Sequence, residues 1–329
     1  MIEVALFGAG RIGKIHAANL AAQPGVRLKV VIDVDAAAAK DLATRYGAQA
    51  GSDPQQALRD GAIGAVVIAS STDTHADLIQ AAAKANKAIF CEKPVDLTVA
   101  RARDCAAAVA AAKVPCLIGF NRRYDPTFAA LKKRLDAGEI GAAEMLIITS
   151  RDPGAPPVSY IERSGGIFKD MVIHDFDIFR WILGDEAATI HASGSCLTDP
   201  KIEAAGDIDS TAITIRTRKG LLCQINTSRR AAYGYDQRFE VLGSKGLLQV
   251  ANHKPTEVVA STTRGVSADL PEHFFLERYA RAYAIEMAHF AAMLTDGVAA
   301  QTGIEDGVRA LELAEAAATS FKTGQPVKL

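Results

Sequence analysis

Ile2-Glu3-Val4-Ala5-Leu6-Phe7-Gly8-Ala9-Gly10-Arg11-Ile12-Gly13 is the stretch whose reading decides the fold. Its first six residues predict a buried strand. The glycines that follow stand in GxGxxG spacing and turn the chain directly into a helix that runs to about Ala22. Residues 27–33 predict the next strand, which ends on Asp33, an acid twenty positions past the last glycine. Gly8 is expected to make the tight turn, Gly10 to let the backbone approach a pyrophosphate, and Gly13 to let helix and strand pack closely. The pyrophosphate then meets a helix N-terminus, where unpaired N–H groups and the macrodipole favour an anion. Asp33 is suited to accept hydrogen bonds from ribose hydroxyls and to repel a 2′-phosphate. NAD is therefore expected over NADP, with Arg11 as the neighbouring group that favours the opposite choice.

Outward from this unit, strands and helices keep alternating, as a parallel sheet requires. Strands are predicted at 65–69, 88–91 and 115–119, and helices at 74–85 and 98–112. Two strand ends carry chemistry. Ser70-Ser71-Thr72-Asp73-Thr74-His75 leaves one strand and Glu92-Lys93-Pro94 leaves the next, both on the carboxyl edge where such sheets bind ligands. Ser70, Ser71, Thr72, His75, Glu92 and Lys93 thus join Gly8, Gly10, Arg11, Ile12, Gly13 and Asp33 as expected cofactor contacts. His75 has a plainer reading as a residue of a helix's first turn, and Lys93 as part of a surface turn. A lysine directly before proline is nevertheless held out of the helical region, so its side chain is aimed by a stiff backbone.

Composition narrows the function classes. The 329 residues are 49% hydrophobic with a net charge of −1, enough to bury the cores of two domains. No basic tail, like-charge run or aromatic-studded basic patch suggests a nucleic acid or membrane partner. The apolar start leads straight into glycines, without the basic opening and cleavage site of a signal peptide, so a cytoplasmic location is expected. Five cysteines lie far apart in apolar surroundings with no CxxC pair, and seven histidines are as scattered. They read as reduced core residues, and no metal site is expected.

After Gly119 the pattern changes. Asn121-Arg122-Arg123-Tyr124-Asp125-Pro126 leads into a helix to about Asp136, then a strand at 144–150 and the proline-rich loop 151–157. Strands without intervening helices follow at 189–196, 210–216, 221–228, 237–242, 246–251 and 257–260, which predicts an α+β domain on a mostly antiparallel sheet. Two helices close the chain, the first with an apolar stripe of Leu276, Tyr279, Tyr283, Met287, Phe290 and Leu294 expected in a core. The expected organisation is α/β overall: a Rossmann doubly wound domain at 1–120 and a second domain at 121–329, with the C-terminal helices free to pack back on the first.

Between the loop and the strands, residues 165–181 predict one helix opened by Gly165-Gly166. At about 100° per residue, Asp170, His174, Asp177 and Trp181 share a stripe, while Met171, Val172, Phe176, Phe179, Ile182 and Leu183 cover the opposite side. Asp175 projects to the apolar side without an evident reason. Taken alone, Asp170 and His174 would be an ordinary i,i+4 polar pair.

With these pieces placed, the chain resembles the glucose-fructose oxidoreductase and inositol dehydrogenase family over essentially its whole length. The resemblance rests on the glycine fingerprint, Asp33, Glu92-Lys93-Pro94, Gly119-Phe120-Asn121-Arg122-Arg123-Tyr124, and the Asp-x-x-x-His of the central helix. It implies a catalytic group of Lys93, Asp170 and His174. The run from Ser150 to Tyr160, His174-Asp175-Phe176-Asp177 and Tyr233-Gly234-Tyr235-Asp236 are similar to substrate-side segments of the bacterial inositol-oxidising members. That likeness implies polyol contacts from Arg123, Asp152, Asp177 and Tyr235, besides Lys93, Asp170 and His174, and a homotetramer. The implied reaction is NAD-dependent oxidation of myo-inositol to the 2-ketone. Oxidation of another cyclic polyol or aldose, such as scyllo-inositol, glucose or xylose, shares these motifs. A non-catalytic sugar or dinucleotide sensor is the reading of a different class, and such a sensor needs neither a base nor an alkoxide stabiliser.

Overall fold

A computed structural model describes residues 1–329. The chain divides into two compact units, one of residues 1–124 and 282–312, the other of residues 125–281 and 313–329.

In the first unit, six parallel strands stand in the order β3-β2-β1-β4-β5-β6: β1 (Ile2–Phe7), β2 (Val26–Ile32), β3 (Gln49–Gly51), β4 (Ile63–Ile68), β5 (Ala88–Glu92) and β6 (Cys116–Gly119). Val4, Leu6, Val31, Val67, Phe90 and Leu117 fill its core. Because every strand runs the same way, Gly8, Asp33, Ser70, Lys93 and Asn121 all emerge at one edge. The strand order turns outward in opposite directions from β1 and β4, which makes that edge between them the binding crevice of a doubly wound sheet. The short β3 and the helices at Ala36–Arg45 and Pro54–Arg59 were not anticipated. Met287 and Phe290 of the predicted apolar stripe join this first core, whereas Leu276 and Tyr279 precede the helix Ala280–Thr295 and belong to the second unit.

The second unit holds a seven-stranded sheet in the order β12-β11-β7-β10-β9-β8-β15. Its strands are β7 (Ala143–Arg151), β8 (Ala187–Ser195), β9 (Ser210–Thr217), β10 (Leu222–Ser228), β11 (Asp236–Gly243), β12 (Gly246–Val250) and β15 (Val327–Lys328). All pairings are antiparallel except β7 with β10. The predicted strand at 257–260 is shifted: β13 (Val259–Thr262) and β14 (Gly265–Ala268) form a separate exposed hairpin.

The register gathers one sheet edge. Ser195 pairs with Ser210, Ser210 with Ser228, Ser228 with Arg151, and Arg151 with Asp236. Asp152, Asp209, Arg229 and Tyr235 each lie one residue beyond this row, so residues far apart in sequence converge there.

Residues 165–181 are not one helix. Val158–Ser164 ends at Gly165, which has φ +83°, and Gly166 at φ +81°, ψ 177° occupies backbone space that side-chain-bearing residues avoid. A short helix Ile167–Asp170 follows, then Ile173–Leu183. At the junction the Val172 N–H bonds to the Ile167 carbonyl, five residues back, while those of His174 and Asp175 bond three residues back to Met171 and Val172. Such local departures from the i−4 ladder recur at functional sites. Asp175 is fully buried, and its charge, after burial itself, helps push the Cys223 thiol of β10 well above its ordinary pKa. Burial likewise raises the Cys105 thiol to about 11 and the Cys116 thiol to about 12, which leaves both as unreactive neutral thiols.

Candidate active site

The glycine loop fits a dinucleotide. Gly8 has φ +104°, and a Cβ there would lie 2.4 Å from the Ala69 carbonyl oxygen. A Cβ on Gly13 would come within 2.0 Å of the Gly8 carbonyl oxygen, so only glycine lets this helix approach the β1 turn. A Cβ on Gly10 would meet nothing within 4 Å, which leaves open space above the loop. The helix Arg11–Ala21 starts at Gly10 with no side-chain cap, so an anion can take its first N–H groups. Asp33 is fixed at the end of β2: Oδ2 accepts from the Ala9 N–H at 2.6 Å and Oδ1 from that of Asp35 at 2.8 Å.

Lys93 stands in a doubly anchored turn. His16 Nε2–H donates to Glu92 Oε1 at 2.7 Å, the tautomer being set by a carboxylate that can only accept. On the other side, His75 Nδ1–H donates to the Pro94 carbonyl at 2.7 Å. The Lys93–Pro94 peptide is cis. Gly119 leaves room for Glu92, since a Cβ there would sit 3.1 Å from Glu92 Oε2.

His75 was expected to contact cofactor. It is buried with Nδ1 on the Pro94 carbonyl and Nε2 3.2 Å from the Ser70 carbonyl, between two loops of the carboxyl edge. Burial holds its pKa below the usual histidine range, against the opposing pull of the two carbonyls. The Ser70–Thr72 loop closes on itself through Ser70 Oγ and Thr74 Oγ1 at 2.6 Å and Thr74 Oγ1 to the Ser71 carbonyl at 2.7 Å.

Arg123, expected at the polyol, is buried in the first unit, donating to the Gln301 carbonyl and to Asp306 Oδ1, each at 3.0 Å. Asp306 Oδ2 in turn accepts from the Gly303 N–H at 3.0 Å. That is the placement of a brace for the start of the Ile304–Thr323 helix.

Within the second unit, Asp170 and His174 flank the irregular turn, both partly exposed, while Asp177 is buried one turn farther on. Asp170 Oδ1 accepts from the Tyr160 hydroxyl at 2.8 Å, and Oδ2 accepts from both terminal nitrogens of Arg229 at 3.4 Å. Asp152 continues the β7 edge, its N–H bonded to the Ser228 carbonyl at 2.9 Å. Tyr235 enters β11 at the same edge with its ring 5.9 Å from that of Tyr279, nearly perpendicular. Arg151 donates to Tyr233 Oη at 3.0 Å and Asn226 Oδ1 at 2.8 Å and lies 3.9 Å from Asp236. The arginines 151 and 229 are thus both taken up by neighbours, while carboxylates and hydroxyls crowd the edge.

His16, Asp207 and Arg229 were not anticipated from the sequence, and Tyr160 only as the end of a substrate-side run. His16 carries a weak local signal, three residues past Gly13 on the buried face of the first helix. Arg229 carries none, because its partners lie far away in sequence.

Comparison with known proteins supports the fold. Residues 2–120 match the family model described as oxidoreductase family, NAD-binding Rossmann fold, and residues 132–329 match its C-terminal alpha/beta domain. The chain belongs to the GFO/IDH/MocA oxidoreductase family. It is an NAD-dependent oxidoreductase of that family. It is 47% identical to the inositol 2-dehydrogenase of Rhizobium meliloti over 100% of this chain and 99% of the relative. The crystal structure of a myo-inositol dehydrogenase from Corynebacterium glutamicum superposes with TM-score 0.96 at 43% identity, covering 100% of this chain and 99% of that one. That of a myo-inositol dehydrogenase from Lactobacillus casei, in complex with NAD(H) and myo-inositol, gives TM-score 0.90 at 26% identity, covering 100% and 97%. No helix is long and apolar enough to cross a membrane.

Proposed function

We propose that this chain oxidises myo-inositol at its C2 carbinol, with NAD as the acceptor, and that Lys93, Asp170 and His174 carry the chemistry. The observation that supports it most is the edge of the seven-stranded sheet. It offers carboxylates and hydroxyls, with Arg151 and Arg229 already neutralised. Such a lining suits an uncharged substrate rich in hydroxyls, whereas a carboxylate or phosphate would call for free cations.

Bound nicotinamide supplies the hydride acceptor. The protein's share is the proton. His174 takes it from the C2 hydroxyl, Asp170 orients the ring and balances the imidazolium, and Lys93 stabilises the alkoxide character that develops on oxygen. Asp152, Asp177 and Tyr235 hold the other hydroxyls. Gly8 to Gly13 and the Ser70–Thr72 loop hold the phosphates and Asp33 the ribose.

An initial-rate screen with NAD and NADP against myo-inositol, scyllo-inositol, glucose and xylose tests this reading. The highest kcat/KM is expected with NAD and myo-inositol; a sugar far ahead of both inositols would overturn the substrate. Asp33→Ser should lower kcat/KM for NAD roughly 10-fold, the loss of hydrogen bonds to a charged acceptor, and leave NADP unchanged or improved. An unaltered NAD to NADP ratio would remove Asp33 from the ribose.

The protein works as a cytoplasmic homotetramer in this reading. Register sets Leu222 beside Met145, Met145 beside Leu242, and Leu242 beside Leu247, and the three leucines are 44%, 43% and 44% exposed. An apolar row across four strands suits self-association. Leu242→Asp should shift the mass seen by light scattering from four chains to fewer, and an unchanged mass would exclude this face.

A further inference from the structure

Arg229 is 1% exposed, and removing a guanidinium from water costs several kcal/mol unless carboxylates compensate. Two do. Asp170 Oδ2 lies 3.4 Å and Asp207 Oδ2 3.8 Å from the same terminal nitrogen. These contacts are long for charge-assisted hydrogen bonds, and Arg229 Nε has no partner, so the guanidinium is shared between two anions instead of being locked onto one. The backbone fixes where it stands, because the Arg229 N–H donates to the Asp209 carbonyl at 2.8 Å. Asp207 is also fixed: Oδ1 accepts from the Ile167 N–H at 3.1 Å, at the start of the short helix that ends on Asp170. A Cβ on Gly166 would come within 2.9 Å of that oxygen. The glycine therefore serves both its left-handed backbone and the approach of Asp207.

We infer that Arg229, held by Asp207, is the positioning residue for Asp170 in the oxidation. The inference rests on the function proposed above. Tyr160 donates to one Asp170 oxygen and Arg229 to the other, so each carboxylate oxygen has a partner that biases its orientation. Two carboxylates around one guanidinium carry one net negative charge. That is the sign required next to a histidine that becomes cationic when it accepts the substrate proton. Without Arg229 the two carboxylates would face each other with no cation between them, and their repulsion would shift Asp170 from its place. Lysine replaces this only in part, since an ammonium lacks the fork that spans two acceptors.

The test measures kcat on myo-inositol, NAD affinity, and the response to millimolar guanidinium in the full-length Arg229→Met, Arg229→Lys, Asp207→Asn and Asp170→Asn proteins. Arg229→Met is expected to lose roughly 10- to 100-fold in kcat, part of what a positioned base contributes. Its NAD affinity should be unchanged, and added guanidinium should restore part of the rate. Arg229→Lys should fall between it and the parent. Near-parental kcat in Arg229→Met, or a loss that guanidinium leaves untouched in a protein that still binds NAD, would overturn the inference. If Arg229→Met does not fold, Asp207→Asn decides. It keeps an acceptor for the Ile167 N–H but removes one charge, and an unchanged kcat there overturns the inference. Asp170→Asn separates the two readings: near-parental turnover in that variant refutes the role of Asp170 itself, whatever Arg229 does.

Discussion

Replacing His174 with alanine is expected to lower kcat on myo-inositol by about 100-fold or more while NAD affinity is retained. The size follows from the reaction. A secondary alcohol gives up its C–H electrons readily only as its O–H proton leaves, and at neutral pH water is a poor acceptor for that proton. Histidine has an ordinary pKa of about 6.5 and is matched to the task. His174 starts where the hydrogen-bond ladder passes from a five-residue to a three-residue step, so its backbone is held by bonds that an unbroken helix would not make. NAD affinity is the control, because the glycine loop and Asp33 belong to the first unit and His174 to the second. Measuring kcat, KM for inositol and NAD affinity together checks this. Turnover near the parental value would remove His174 from the proton step.

Lys93→Met is expected to lower kcat by roughly 100-fold, the range found when one donor to a developing oxyanion is removed. The charge is useful only if it is already in place, since reorganising it during the reaction would cost what it contributes. The turn around Lys93 is built for that. Its preceding residue is tied by His16 and its following residue by His75, each through a 2.7 Å bond from a buried ring. Glu286 lies fully buried on the Ala280–Thr295 helix, and burial, with the charge of Glu92 after it, pushes its carboxyl well above the ordinary range. The KM for NAD separates two roles. A kcat that falls with KM for NAD little changed places Lys93 at the alkoxide; a raised KM with kcat preserved would make it a cofactor ligand only.

How much of this was legible in the sequence depends on how far apart the interacting residues are. The β1–glycine–helix–β2 unit is local: strand pattern, glycine spacing and Asp33 lie within the first 33 residues, and each is required by sterics of its immediate neighbours. Lys93, Asp170 and His174 stood out in the sequence through resemblance, since proline alone predicts a stiff turn at Lys93 and spacing alone makes Asp170 and His174 an ordinary polar pair. The break between Asp170 and His174 was not legible, since it depends on a bond from Val172 to Ile167 that apolar periodicity does not encode. Arg123 shows the opposite limit. Resemblance implies a substrate contact for it, and its ion pair with Asp306, 183 positions away, is visible only in the folded chain. The same distance effect hid Arg229, Asp207 and the sheet edge, which exists because β7 and β10 run parallel while their neighbours do not. Asp175 looked misplaced on an apolar face, and it is fully buried there, with its charge felt by the Cys223 thiol of β10.

The central claim is that this chain removes hydrogen from C2 of myo-inositol and passes it to NAD. Turnover of myo-inositol deuterated at C2 tests it most directly. One deuterium per molecule of reduced cofactor is expected, together with the 2-ketone in equal amount. Reduced cofactor carrying only protium, or none formed while NAD and inositol are both bound, would contradict it.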